Sequence, residues 1–196
     1  VDGSLELGGK SSLLVFDDAP ELGAVVEQIA YGIFSNCGQV CSATSRLLLQ
    51  KSISDTVIAA LIERTKKFKV GASLDDGVQI GPIVSQPQYE KVTGFIERAK
   101  QDSKCKLLLG GGRPASAPAG GFFVEPTIFE VTDTTAEIWN QEIFGPVLAI
   151  KRFDTEEEAI QIANNTPFGL AGGVMSLDEA RCDRISRALD VGIAWI

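Results

Sequence analysis

The chain has 196 residues, 44% of them hydrophobic, a formal net charge of −8 and no histidine. That length buries a core and fits a single domain over residues 1–196, while the acidic balance argues against a nucleic-acid or anionic-membrane surface. No apolar run is long enough to cross a bilayer. Val1-Asp2-Gly3-Ser4 opens no signal or transit segment.

In chain order, Ser12–Phe16 reads as a buried strand and Glu21–Phe34 as a helix with Pro20 at its entry. Arg46–Gln50 is strand-like. Ser54–Phe68 has helical spacing, with Ser54 as its N-cap and lysines at its negative end. A turn-rich loop covers Gly71–Pro82. Gln86–Gln101 reads as helix, Lys106–Leu109 as strand and Gly110–Gly121 as an exposed loop. Phe122–Phe129 is extended, and Pro126 suggests an edge or a bulge. Val147–Phe153 is a strand. The next helix opens at Thr155 or Asp154, with three glutamates at its positive end. Leu170–Met175, a helix over Asp178–Leu189 and Gly192–Ile196 complete the alternation. This pattern predicts an α/β fold, a mostly parallel sheet with helices on both faces. The last residues, Ile193-Ala194-Trp195-Ile196, are an apolar strand, so a fragment of a longer protein is expected.

There are four cysteines, Cys37, Cys41, Cys105 and Cys182. In a chain this size they are not a secreted disulfide framework, and one Cys-x3-Cys without histidine makes a poor zinc site. We expect free thiols, no metal and an intracellular, reducing compartment. Cys41, in Gly38-Gln39-Val40-Cys41-Ser42, is a candidate nucleophile. It needs a helix N-terminus or a positive charge to favour the thiolate, and its own N–H suits an oxyanion. On local sequence alone, the commoner fate of such a cysteine is a small buried thiol. Glu6, between Leu5 and Leu7, is a candidate water activator if apolar neighbours desolvate it; an exposed strand-end glutamate is the plainer alternative. Glu142 and Phe144, before a Gly-Pro turn, would suit sugar hydroxyls and a flat ring, or Phe144 is simply core. No phosphate-loop or dinucleotide glycine pattern occurs.

Leu5-Glu6-Leu7-Gly8-Gly9-Lys10, Gly38-Gln39-Val40-Cys41 with Arg46, Gly81-Pro82, Glu125-Pro126-Thr127, Glu142-Ile143-Phe144-Gly145-Pro146-Val147 and Thr166-Pro167-Phe168-Gly169-Leu170 follow one another in order. Together they resemble the catalytic half of the NAD(P)-dependent aldehyde dehydrogenase superfamily. The Cys41 segment is most similar to the plant-type aminoaldehyde and betaine aldehyde dehydrogenases.

The resemblance implies that Cys41 forms a thiohemiacetal and then a thioester, and that Glu6 activates the hydrolytic water. It places Glu142, Phe144 and Leu7 at the nicotinamide ribose and ring of NAD or NADP, and Gln88 and Lys91 near the adenosine side. Ser35, Val40, Ser42 and Ile193 fall to the substrate pocket. It implies a small-molecule aldehyde as substrate, a homodimer or homotetramer, and residence in the cytoplasm or an organelle such as plastid or peroxisome. The family's coenzyme-binding domain and the terminal oligomerisation segment have no counterpart in this sequence, so the chain alone is expected to be inactive. Ser35 stands where a tryptophan is common, and Ile193 where a bulky residue disfavours betaine aldehyde. Both favour ω-aminoaldehydes such as 3-aminopropanal or 4-aminobutanal. One extra residue between Glu6 and Cys41, near Ala19–Glu21, falls in a turn and should leave the site intact. A regulatory disulfide between Cys37 and Cys41, one helical turn apart if that stretch is helical, is weighed against a packed thiol. The other readings are a non-catalytic binding or assembly domain that keeps the fold, and an acyl-transferring semialdehyde dehydrogenase.

Overall fold

The computed structural model describes residue 5 and residues 7–196. Its strands are β1 (Ser12–Val15), β2 (Arg46–Gln50), β3 (Cys105–Leu109), β4 (Thr127–Val131), β5 (Val147–Phe153), β6 (Ala171–Met175) and β7 (Ile193–Trp195). They form one seven-stranded sheet in the order β3-β4-β5-β2-β1-β6-β7. Every neighbouring pair is parallel except β3–β4, which is antiparallel. The central strands are continuous apolar runs because a parallel strand between helical layers is buried on both faces; Leu47, Leu48 and Leu49 have no exposure at all.

Helices α1 (Leu22–Phe34), α2 (Lys51–Thr65), α3 (Gln86–Gln101), α4 (Glu137–Asn140), α5 (Glu156–Asn164) and α6 (Glu179–Ala188) fill the connections. Consecutive strand residues point to opposite faces, and in β1 they meet different helices. Leu13 shares a cleft with Ala24 and Gln28 of α1, while Ser12 shares a small cavity with Ala163 and Asn164 of α5. Helices therefore cover both faces, as the alternation predicts.

Some boundaries differ from those expected. α2 starts at Lys51, directly after β2, and Ser54 lies inside it as a buried residue rather than a cap. The Ser54 hydroxyl donates to the Lys51 carbonyl at 2.9 Å and accepts from Arg152 at 2.8 Å. Beyond Thr65 the chain tightens into i→i+3 bonds at Lys67 and Phe68, which keep the apolar spacing but not the helix. Pro126 marks no edge: β4 lies between β3 and β5, and the irregularity is a register shift on β3 between Leu107 and Leu109. Pro126 precedes the first ladder residue, so its missing N–H removes no sheet bond. α4 is one turn long, too short to show a period in sequence. The cap of α5 is Thr155, which accepts from Glu158 N–H at 3.2 Å while the Glu158 carboxylate accepts from Asp154 N–H at 2.8 Å. This reciprocal pair satisfies two otherwise orphaned donors.

Candidate active site

The turn between α1 and β2 carries Cys41. α1 stops at Phe34, where the Ser35 hydroxyl folds back on the Tyr31 carbonyl at 2.6 Å. A 3₁₀ turn over Ser35–Gly38 follows, with Asn36, Cys37 and Gly38 left-handed at φ 49°, 58° and 68°. Two successive non-glycine residues in that region are uncommon. They are held by Asn36 Nδ2 donating to the Gln39 carbonyl at 3.0 Å and by Gln39 N–H donating to the Asn36 carbonyl at 3.1 Å. Gly38 lies flush against the 145–146 peptide, where a Cβ would run into the Gly145 carbonyl.

Ala43 N–H then donates to the Val40 carbonyl at 3.0 Å, closing a β-turn with Cys41 and Ser42 at its centre. Central turn residues leave their N–H groups unused by the turn, and among the described residues neither donates to a protein acceptor. Cys41 is exposed, and the other three thiols are buried or half-buried. Burial pushes the Cys37 thiol up to about 12 and, with Asp102 adding, Cys105 up to about 11; it also raises Cys182. Cys41 follows the C-terminus of α1, and among the described residues its own N–H and that of Ser42 are the uncommitted donors of the turn. Cys37 and Cys41 are both free thiols, and the stretch between them is not α-helical, so the one-turn spacing expected for a bridge is not realised.

Glu142 reaches this turn from the loop before β5. Its Oε1 accepts the Gly9 N–H at 2.9 Å. Gly9 has room for a hydrogen only, since a Cβ would stand 2.5 Å from the Cys41 carbonyl oxygen. The Gly9 segment, the Cys41 turn and Glu142 thus converge at the amino ends of β1, β2 and β5. Val40, Glu142 and Phe144 line one small cavity there. Phe144 is itself left-handed at φ 58°. Glu6 lies outside the described residues. Its neighbours Leu5 and Leu7, expected to shield it, are each 77% exposed.

Beneath the junction Arg46 acts as a staple. It is 1% exposed and donates to the Lys10 carbonyl at 2.9 Å and the Ala163 carbonyl at 2.7 Å, with its guanidinium 5.3 Å from the Trp139 ring centre. Lys10 is buried beside it. Burial pushes its ammonium down to about 7, Arg46 and Lys91 adding to the fall and Glu142 opposing it. Among the described residues no cluster of His, Cys, Asp or Glu is arranged to hold a metal, and no helix is long and apolar enough to cross a membrane.

On its other side the Cys41 turn opens into a cleft of about 690 Å³. Ser35, Val40 and Ser42 line it, with Tyr31, Trp195 and Ile196. Ile193 does not: it pairs with Ala171 at the start of β6, while the cleft runs toward Met175 and Ser176 at the far end and meets β7 at Trp195. The role of α1 was missed in sequence. Ala24, Gln28, Tyr31 and Ser35 form a second helical stripe beside the buried one of Val25, Val26, Ile29 and Ile33. That spacing is visible in the sequence but looks like an ordinary solvent face. Gln88, expected near an adenosine, has its amide committed to protein: Nε2 donates to the Ile143 and Phe144 carbonyls, both at 2.9 Å.

The aldehyde dehydrogenase family profile matches residues 2–196. The chain is 49% identical over 193 residues to aminoaldehyde dehydrogenase 2 of Zea mays, and 48% identical over 193 residues to aminoaldehyde dehydrogenase 1, peroxisomal, of Pisum sativum. Each match covers 98% of this chain and 38% of the relative. Among solved structures, betaine aldehyde dehydrogenase of Staphylococcus aureus in complex with NAD+ matches with a TM-score of 0.93 at 41% identity, over 97% of this chain and 38% of that one. The chain therefore spans about two fifths of the length of these relatives.

Proposed function

Because the chain belongs to the aldehyde dehydrogenase family, we propose that the protein it is part of oxidises an aldehyde to the carboxylic acid with NAD or NADP. The observation that carries this reading is the exposed Cys41 at the centre of a turn with two uncommitted N–H groups, beside a carboxylate fixed by Gly9. Cys41 Sγ adds to the carbonyl carbon, and the oxyanion that forms accepts from the Cys41 N–H. The coenzyme, when bound, supplies the hydride acceptor that turns the thiohemiacetal into a thioester. Glu6 takes a proton from the water that releases the acid.

The residues present fit a nicotinamide nucleotide. Glu142 uses Oε1 for Gly9 and, among the described residues, makes no hydrogen bond through Oε2, which suits a ribose hydroxyl. Phe144 and the exposed Leu7 offer apolar surface for the ring. For the aldehyde, the cleft lining carries no charged side chain among the described residues, where Tyr31 and Trp195 offer aromatic surface for a cationic amine. Ser35 leaves the space of a tryptophan open, which supports small ω-aminoaldehydes over betaine aldehyde. An organelle such as plastid or peroxisome, or the cytoplasm, and a homodimeric or homotetrameric state are part of the same proposal.

The test is NADH or NADPH formation by the full-length protein with 3-aminopropanal, 4-aminobutanal and betaine aldehyde. We expect Cys41→Ala to abolish turnover and the aminoaldehydes to have the higher kcat/KM. Undiminished turnover in Cys41→Ala would overturn the nucleophile, and a higher kcat/KM for betaine aldehyde would overturn the preference. The isolated chain should form no NADH.

A further inference from the structure

The first turn of α3 touches both halves of the candidate site. Gln39, two residues before Cys41, accepts the Val84 N–H through its Oε1 at 2.9 Å. Val84 precedes Ser85, whose hydroxyl caps α3 by accepting the Gln88 N–H. Gln88 in turn donates to the Ile143 and Phe144 carbonyls, immediately after Glu142. One turn further along α3, Val92 packs so closely on Gly145 that a Cβ there would lie 2.6 Å from its Cγ2. Gly145 is also the residue whose carbonyl faces Gly38.

We propose that Gln39 and Gln88 are positioning residues that use the start of α3 as a common brace, setting the Cys41 turn against the Glu142–Phe144 turn. This rests on the reading of Cys41 and Glu142 given above. The physical reason lies in the two strained turns. Phe144 is left-handed without being glycine, a strained state that persists only where the surroundings enforce it. An amide NH₂ has two hydrogens and can serve two successive carbonyls at once, which the Gln88 geometry shows. At Gln39 the polarity is reversed: the group facing it is an N–H, so its oxygen does the work. The brace thus has an assigned chemical sense at each end, which a merely space-filling pair of side chains would lack.

The experiment uses the full-length protein and two readouts. In Gln88→Glu an ionised carboxylate faces two carbonyl oxygens, so the KM for NAD should rise about tenfold, equivalent to about 1.4 kcal/mol. The loss should shrink as pH falls and the introduced carboxyl gains a proton to donate. Gln88→Leu should lose affinity with no such pH dependence. The second readout is alkylation of Cys41 by iodoacetamide, which needs no coenzyme. It should slow several-fold in Gln39→Leu and in Gln88→Leu, because a turn released from its brace no longer holds the exposed Cys41 in one place. Should one leucine variant fail to fold, the other reads the same brace from its opposite end. Unchanged alkylation together with an unchanged KM would overturn the proposal, as would equal, pH-independent losses in Gln88→Glu and Gln88→Leu. If the unaltered protein alkylates at Cys41 but forms no NADH, the functional reading fails while the brace is still measured.

Discussion

The two ends of the sheet are built on opposite plans. At the carboxyl end, three helices begin almost at once: α2 follows β2 without a gap, α5 follows β5 after two intervening residues, and α6 follows β6 after three. Arg181 and Arg184 of α6 pair with Glu156 of α5, and Arg181 also pairs with Asp18 in the loop after β1 and lies 4.7 Å over the Phe16 ring. At the amino end, the segments that lead into β1, β2 and β5 hold Gly9, Cys41, Glu142 and Phe144. Open parallel sheets commonly place ligands at the carboxyl ends of their strands. Here the uncommitted donors, the strained turns and the exposed thiol all gather at the other end. Fold class alone does not place a site; loop construction does.

The sharpest way to break this contrast is to remove the thiol. In the full-length protein Cys41→Ala should lower kcat by at least about a thousandfold, with the unfolding midpoint unchanged; a stability loss of similar scale to a core mutation would make Cys41 structural instead. Gly38→Ala should come next. A methyl group there meets the Gly145 carbonyl and must also adopt φ 68°, so we expect about 3 kcal/mol of lost stability or a displaced turn with slow Cys41 alkylation.

Lys10 gives a pH test of the amino end. Its folded-state value of about 7 lies below the ordinary lysine value of about 10.4, so between those limits the unfolded chain binds more protons. Its contribution to stability therefore rises with pH from about 7 to about 10.4, and is least favourable at and below 7. Lys10→Met should flatten that rise and gain a few kcal/mol at most near neutral pH, read by urea unfolding at pH 7 and pH 9. At the carboxyl end Arg181→Met should cost only about 1 kcal/mol, since its partners are partly exposed and screened, and should leave Cys41 alkylation untouched. A change in alkylation would erase the division between the two ends. The smallest effect is expected from Ser35→Trp, which should shift the kcat/KM ratio toward betaine aldehyde by a factor corresponding to about 1 kcal/mol.

Much of this was legible beforehand, and for identifiable reasons. Buried parallel strands announce themselves as apolar runs, and Arg46–Gln50, Gln86–Gln101 and Val147–Phe153 have the boundaries expected of them. The start of α5 was readable to within one residue, Thr155 or Asp154, and the structure gives the cap to Thr155. The start of α2 was not, because Ser54 has the chemistry of a cap and the burial of a core residue. The pairing of Ile193 with Ala171 was not legible in sequence, because the register of β7 on β6 is set by packing; the cleft meets β7 at Trp195.

The order of residues alone determined the alternation of strand and helix, the parallel sheet, and the candidate thiol and carboxylates, because periodicity and short motifs act over a few residues. Only the tertiary structure decided that Gly9, Cys41 and Glu142 meet, that α1 turns a polar stripe to the cleft, and that two glutamines join both turns through α3. Those facts depend on close approach between segments as far apart as the 133 residues separating Gly9 from Glu142, and such distances are set by packing rather than by local preference.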